Sequence, residues 1–164
     1  MQLIPITADD EDLTVRLECD PELMRHIGGA RPEADVRATH KRRLALMEKG
    51  DAHMYKIVDE TTNEALGTIG IWKIDWKEPQ AYEMGWMVLP ENQGKGVATE
   101  AAQLLLEQAR SNPEVHSVYA FPAVSNGASN AIALKLGMEN QGEFDNEDFA
   151  GILRCNDWRI DLRS

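Results

Sequence analysis

Apolar residues recur at helical spacing across residues 96–110. Val97, Ala98, Ala101, Ala102, Leu105, Leu106 and Ala109 form one wide stripe, while Glu100, Gln103 and Glu107 fall opposite. The pattern predicts an amphipathic helix that Asn112-Pro113 ends. Upstream the pattern turns strand-like. Runs at about 53–58, 65–76 and 80–89, the first followed by a Thr61-Thr62-Asn63 turn, predict a three-strand meander closed by Pro90.

The flanking segments complete the picture. Leu3, Ile4 and Ile6 mark a short strand over 2–7, and Asp9 or Asp10 is placed to cap a helix reaching Glu18. Pro21 is expected to open a second helical stretch that Gly28-Gly29 ends. Pro32 starts a helix over about 33–49, closed by Gly50. Its Lys41, Arg42 and Arg43 read as a solvated face. Beyond the long helix come a strand at 114–121, a helix at 128–136 stopped by Gly137, and two runs at 139–144 and 149–162 that suit a closing hairpin. These elements predict a mixed α/β (α+β) fold, with a largely antiparallel twisted sheet flanked by helices. No repeat or linker divides the chain, so residues 1–164 are expected to form a single domain.

Composition narrows the function classes. The 17 basic and 28 acidic residues leave a net charge of -11, which disfavours nucleic-acid binding and favours cationic partners. Cys19 and Cys155 are too few for a four-cysteine zinc site and read as free thiols; His26, His40, His53 and His116 lack metal-ligand spacing, so no metal is expected. No apolar run suits a membrane span, and residues 1–12 lack the basic start and apolar core of a signal peptide. A cytoplasmic protein is the expectation.

Candidate chemistry concentrates where the third meander strand meets the long helix. Residues 91–98 read Glu-Asn-Gln-Gly-Lys-Gly-Val-Ala. The first N–H groups of a helix lack internal partners and carry the positive end of its dipole, so this turn suits a phosphate. Gly94 and Gly96 permit close approach, and Lys95 is placed to pair with a phosphate. A flexible helix start explains the same glycines. The Walker A lysine–serine/threonine pair is missing, and Thr99 stands where a dinucleotide fingerprint needs glycine.

The whole segment resembles the GNAT superfamily of acetyl-CoA-dependent N-acetyltransferases. Gln93, Gly96 and Ala98 fit that family's pyrophosphate loop. Glu83-Met84-Gly85-Trp86, Ala98-Thr99-Glu100-Ala101, Asn126-x-x-Ser129 and Lys135-Leu136-Gly137-Met138 resemble the branch of ribosomal-protein N-terminal-alanine acetyltransferases. These motifs span residues 82–138, about a third of the chain. The resemblance implies acetyl-CoA as co-substrate. Its pantetheine arm would lie along Met87 and Val88, with Leu89 nearby, and its pyrophosphate would rest on the N–H groups of Gly94, Lys95, Gly96, Val97 and Ala98. Asn126 would touch the arm, although its spacing equally suits an N-cap.

An amine must lose a proton before it attacks a thioester, and the leaving thiolate must gain a hydrogen bond or a proton. Glu83 is the candidate base: it shares a pleat face with Gly85 and Met87, and the resembling family often has an acid there. A surface carboxylate that merely attracts amines is the plainer alternative. Ser129 is the candidate donor to the thiol side, with an ordinary first-turn serine as its alternative. A backbone N–H near Val88 would hold the oxyanion. Ala133 stands where many GNAT enzymes have a tyrosine that acts as general acid, and Trp86 and Met138 replace a tyrosine and a phenylalanine. Trp72 and Trp76 are expected on one strand face near the acceptor, and Asp145, Glu147 and Asp148 in the last hairpin's turn. The implied acceptor is a protein or peptide N-terminal α-amine. A small amine such as a polyamine, aminoglycoside or amino-acid derivative is the alternative, and a non-catalytic acyl-CoA-binding module is a third reading. The resemblance leaves room for a homodimer.

Overall fold

The protein is described by a computed structural model that covers residues 1–149 and 151–164, the side chains of 148 and 149 left aside. Its strands are β1 (Gln2–Pro5), β2 (Ala52–Val58), β3 (Ala65–Trp76), β4 (Glu78–Val88), β5 (Ser117–Ala120), β6 (Glu139–Phe149) and β7 (Gly151–Asp161). The helices are α1 (Glu11–Glu18), α2 (Glu33–Glu48), α3 (Val97–Arg110) and α4 (Gly127–Lys135). The seven strands form one sheet in the order β1-β2-β3-β4-β5-β7-β6. Every pairing is antiparallel except β4 with β5.

Strand alternation divides the core between the two faces. Tyr82, Met84 and Val88 of β4 pack with Ile57, Ile69 and Ile71 against the α3 stripe of Ala101, Ala102, Leu105 and Leu106. Ile6, Ala52 and Met54 form a second cluster, with Leu44 and Met47 of α2 and Trp72 packed on it. Ala133 of α4, Met138, Ala120 and Trp158 make a third cluster, and Trp86 touches both this and the first. Ala133 is thus fully buried packing.

Several boundaries differ from the sequence reading. Thr7 caps the first helical segment: its hydroxyl accepts from Asp9 N while Asp10 accepts from the Thr7 N–H, a reciprocal capping box. Asp10 makes no cap for α1 and instead binds Lys56 Nζ at 2.9 Å. Residues 21–28 form consecutive turns, not a helix. Their Asp20 side chain accepts from Glu22 N and Leu23 N, and local bonding of this kind competes with helix formation. β5 spans only four residues of the expected 114–121. β6 runs past 144 to 149, so Asp145 and Glu147 lie on a strand and not in a turn; the side chain of Asp148, and Ala150 within the expected second run, lie outside the described residues.

A charged knot pins the start of β4. Arg159 donates to both Glu78 oxygens, at 2.7 and 3.0 Å, and the Tyr119 hydroxyl donates to the same carboxylate. Arg159 holds the Glu78 carboxyl well below the usual carboxylate range, at about 2. Burial, then the charge and hydrogen bond of Glu78, push the Tyr119 hydroxyl up to about 12. A carboxyl with a lowered folded-state value stabilises the fold fully above its unfolded value, near 4.5, and loses that contribution as pH falls toward about 2. Glu78→Gln is therefore expected to cost about 1–3 kcal/mol at neutral pH. In urea melts followed by circular dichroism, the gap between wild type and variant should shrink as pH drops from about 4.5 to about 2.

Candidate active site

Two neighbouring strands part company at Glu83. β4 pairs with β5 only at Ala81, Tyr82 and Glu83, opposite Ser117, Val118 and Tyr119. Beyond Ala120 the chain enters Phe121-Pro122 and turns to bridge β7 through Ala123 and Cys155. From Met84 onward, β4 therefore has no described strand on that side. Leu89 N donates to Leu66 O on the β3 side, and Gln80 O accepts from His116 N on the β5 side. Strand alternation then turns the backbone groups of Met84, Trp86 and Val88 toward the opening, and those of Gly85 and Met87 toward β3.

A groove of about 720 Å³ follows this opening, lined among others by Glu83, Gly85, Met87, Asn126 and Ser129. Met87 and Trp86, the latter read in the sequence only as a replaced tyrosine, line the groove, whereas Val88 turns backbone groups toward the opening without lining the groove. Gly85 is required by its neighbour: a Cβ there would lie 2.8 Å from Cη2 of Trp72. Trp72 lies over that glycine and walls the groove.

The turn into α3 has the geometry its composition suggested. Gly94 and Gly96 have φ of 73° and 77°, the left-handed region that favours glycine, with open space where a Cβ would stand. Gly96 is the N-cap of α3 and offers no side chain, so the first N–H groups at Val97 and Ala98 remain available. Gln93 Nε2 donates to Val88 O at 3.0 Å and ties the turn to the end of β4. Lys95 Nζ donates to Glu91 O at 3.0 Å, which holds it along the turn.

Asn126 and Ser129 meet at the start of α4. The Asn126 side chain accepts from Ser129 N at 3.2 Å, a genuine N-cap, and both residues line the groove. Asn130 is the residue that sequence reasoning missed. Its Oδ1 accepts from Asn156 Nδ2 and Trp158 Nε1, each at 2.8 Å, and its Nδ2 donates to Ala123 O and Asn126 O. It thereby fixes the α4 turn against β7. Only its place one residue after Ser129 could have flagged it.

The far wall of the groove comes from the 20–32 segment and α2. Glu18 is buried and receives Arg31 Nη1 at 3.0 Å and Arg43 Nη1 at 2.6 Å. The basic cluster is therefore largely solvated: Lys41 and Arg42 are exposed, Arg42 at the rim of the groove, and only Arg43 is half-buried in its wall. His26 Nδ1 lies 3.0 Å from Ser125 Oγ, bridging the two walls. His40 is buried between the Thr14 hydroxyl and Thr7 O and serves packing.

A second cavity, of about 340 Å³, opens beside the groove between β3 and β6. Glu83 and Phe121 line both spaces. Trp76 faces this cavity while Trp72 faces the groove, so the two tryptophans serve different walls. Cys155 is buried nearby, and burial, with a smaller contribution from the Glu83 charge, pushes its thiol up. It is thus held as a neutral thiol, and Cys19 is also free. Among the described residues, no group of three or more His, Cys, Asp or Glu could hold a metal ion, and no helix is long and apolar enough to cross a membrane.

A split sheet, a glycine turn feeding a helix, and an asparagine-capped helix across the gap together mark one class of acyl-transfer fold. The description of the acetyltransferase (GNAT) domain matches residues 1–139, and the chain belongs to that family of N-acetyltransferases. It is 30% identical over 127 residues to YnaD, an uncharacterized N-acetyltransferase of Bacillus subtilis (strain 168), spanning 76% of this chain and 71% of that protein. It is 28% identical over 117 residues to the ribosomal-protein-serine acetyltransferase of Escherichia coli (strain K12), spanning 71% of this chain and 64% of the relative. Among solved structures, a GNAT-family acetyltransferase from Bacillus anthracis superposes with a TM-score of 0.82 at 21% identity, covering 99% of this chain and 95% of that one.

Asn126→Ala should lower stability by about 1 kcal/mol through loss of the cap, whereas Asn126→Asp should retain most of it. Thermal melts of the two variants beside wild type check this.

Proposed function

We propose that this N-acetyltransferase moves the acetyl group of acetyl-CoA directly to a primary amine, working as one domain in the cytoplasm. The observation that carries the reading is the place of Glu83, on the boundary shared by the groove and the second cavity. The amine must meet its base where it also meets the thioester, and this carboxylate stands where the two spaces adjoin.

The chain's own groups fit acetyl-CoA. The outward N–H of Val88 pairs with a pantetheine amide, and the N–H groups from Gly94 to Ala98 hold the pyrophosphate in the room left by the absent Cβ atoms. Gln93 braces that turn on β4, Lys95 borders it, and Asn126 orients the arm while capping α4. Glu83 takes the proton from the amine nitrogen. The Trp86 N–H, next to Val88 on the same open edge and nearer Glu83, donates to the thioester carbonyl oxygen as it gains charge. The Ser129 hydroxyl donates to the departing sulfur. Cys155 is buried and held neutral, so no acyl-cysteine step enters.

For the acceptor, the named activity of the Escherichia coli relative supports a protein or peptide N-terminal α-amine. A small amine is the second reading, favoured by the modest size and acidic lining of the cavity beside Glu83.

Thiol release from acetyl-CoA, measured against a panel of N-terminal peptides and small amines, tests the reading. One acceptor class should support turnover. Glu83→Gln should lower kcat by about 10²–10⁴-fold while acetyl-CoA still raises the melting temperature of the variant. Unchanged turnover would remove Glu83 as the base. Cofactor binding without turnover on any acceptor would favour the binding module.

A further inference from the structure

We propose that the cavity between β3 and β6 selects an acceptor carrying a second positive charge, set apart from the reacting amine by a short apolar stretch. This rests on the reading of Glu83 as the group that meets the amine. Three aromatic rings form the apolar part of the cavity. Trp76 lies 5.0 Å from Phe121 and 4.8 Å from Phe144, and Phe121 lies 5.1 Å from Phe144, all between ring centroids. All three line the cavity. Mutual packing fixes these rings before any ligand arrives, and their edge-to-face and tilted contacts leave ring faces to receive an apolar chain or a cation.

The charged residues that line the cavity are all acidic. Asp75, Asp145 and Glu147 line the cavity together with Glu83, and none of its described lining residues is basic. Nearby cations are already engaged. Lys77, 5.4 Å above the Trp76 ring, binds the buried Asp157 at 2.6 Å, and Arg154 is paired with Asp145 and Glu143. Asp75 and Glu147 are exposed and have no ion pair among the described residues. An acceptor amine at Glu83 therefore enters a space walled mainly by aromatic rings and carboxylates, with Ile74 and Asn146 completing it. A single uncharged chain satisfies only the rings, whereas a chain ending in a second cation satisfies the rings and the carboxylates together. A diamine or polyamine meets this description, and so does a peptide N-terminus followed by a basic side chain.

Isothermal calorimetry on the CoA-bound protein separates the outcomes without relying on turnover. Diaminobutane is compared with aminobutane, and the amide of Ser-Lys with that of Ser-norleucine. The dication of at least one pair should bind roughly tenfold more tightly, and the pair that shows it names the source. In Asp75→Asn/Glu147→Gln the preference should fall to about twofold or less, with an unchanged melting temperature because both positions are exposed. Equal affinities in both pairs, no binding of any of the four, or a preference that survives the double substitution would overturn the inference. Acetyl transfer itself is read by thiol release and stands or falls separately.

Discussion

The central constraint is that β4 and β5 share hydrogen bonds for three residues and then separate. A parallel pair that continued would have consumed the backbone groups of Trp86 and Val88 and filled the groove with chain. Two features enforce the separation. Proline at 122 follows the four-residue β5 and brings no N–H to a ladder. The chain after it is held elsewhere, by the Ala123–Cys155 bridge and the bond from Asn156 N to Pro122 O. Beneath the gap, Trp86 packs against both the α3 cluster and the α4 cluster, so the opening has a solid floor.

Everything chemically useful is arranged from that opening. The end of β4 leads within a few residues to the glycine turn and α3, and Gln93 locks turn to strand. On the other side, Asn130 holds the α4 start to β7 and so sets where Asn126 and Ser129 stand. Rigid elements carry the candidate groups from both sides, which is what acyl transfer between two bound molecules needs. The Glu78–Arg159–Tyr119 knot anchors the closed end of the same strand pair, so the point of divergence is fixed from below.

Much of this was legible in the residues. The α3 stripe and the meander follow from periodicity alone, because each buries one face against one partner. The glycine turn was legible because Gly94 and Gly96 sit where positive φ is needed. Glu83, Asn126 and Ser129 were found through motif resemblance, and the structure brings all three to one groove. The rest depended on distant partners. Nothing local says that Asp10 pairs with Lys56, that Arg43 reaches a buried Glu18, or that Thr7 outcompetes Asp9 and Asp10 as the cap. The length of β6 was hidden for a similar reason: its Asp145 and Glu147 read as a turn, and only pairing with β7 makes them an edge strand. Charged side chains on such an edge also guard it against pairing with other chains.

The most direct measurement is amide hydrogen exchange resolved to single residues, with and without CoA. If the opening of β4 and the α3 turn receive the cofactor, the N–H groups of Trp86, Val88 and residues 94–98 slow on addition of CoA, while Met87, already turned toward β3, changes little. Slowing confined to other segments, with Trp86 and Val88 unaffected, would contradict the account.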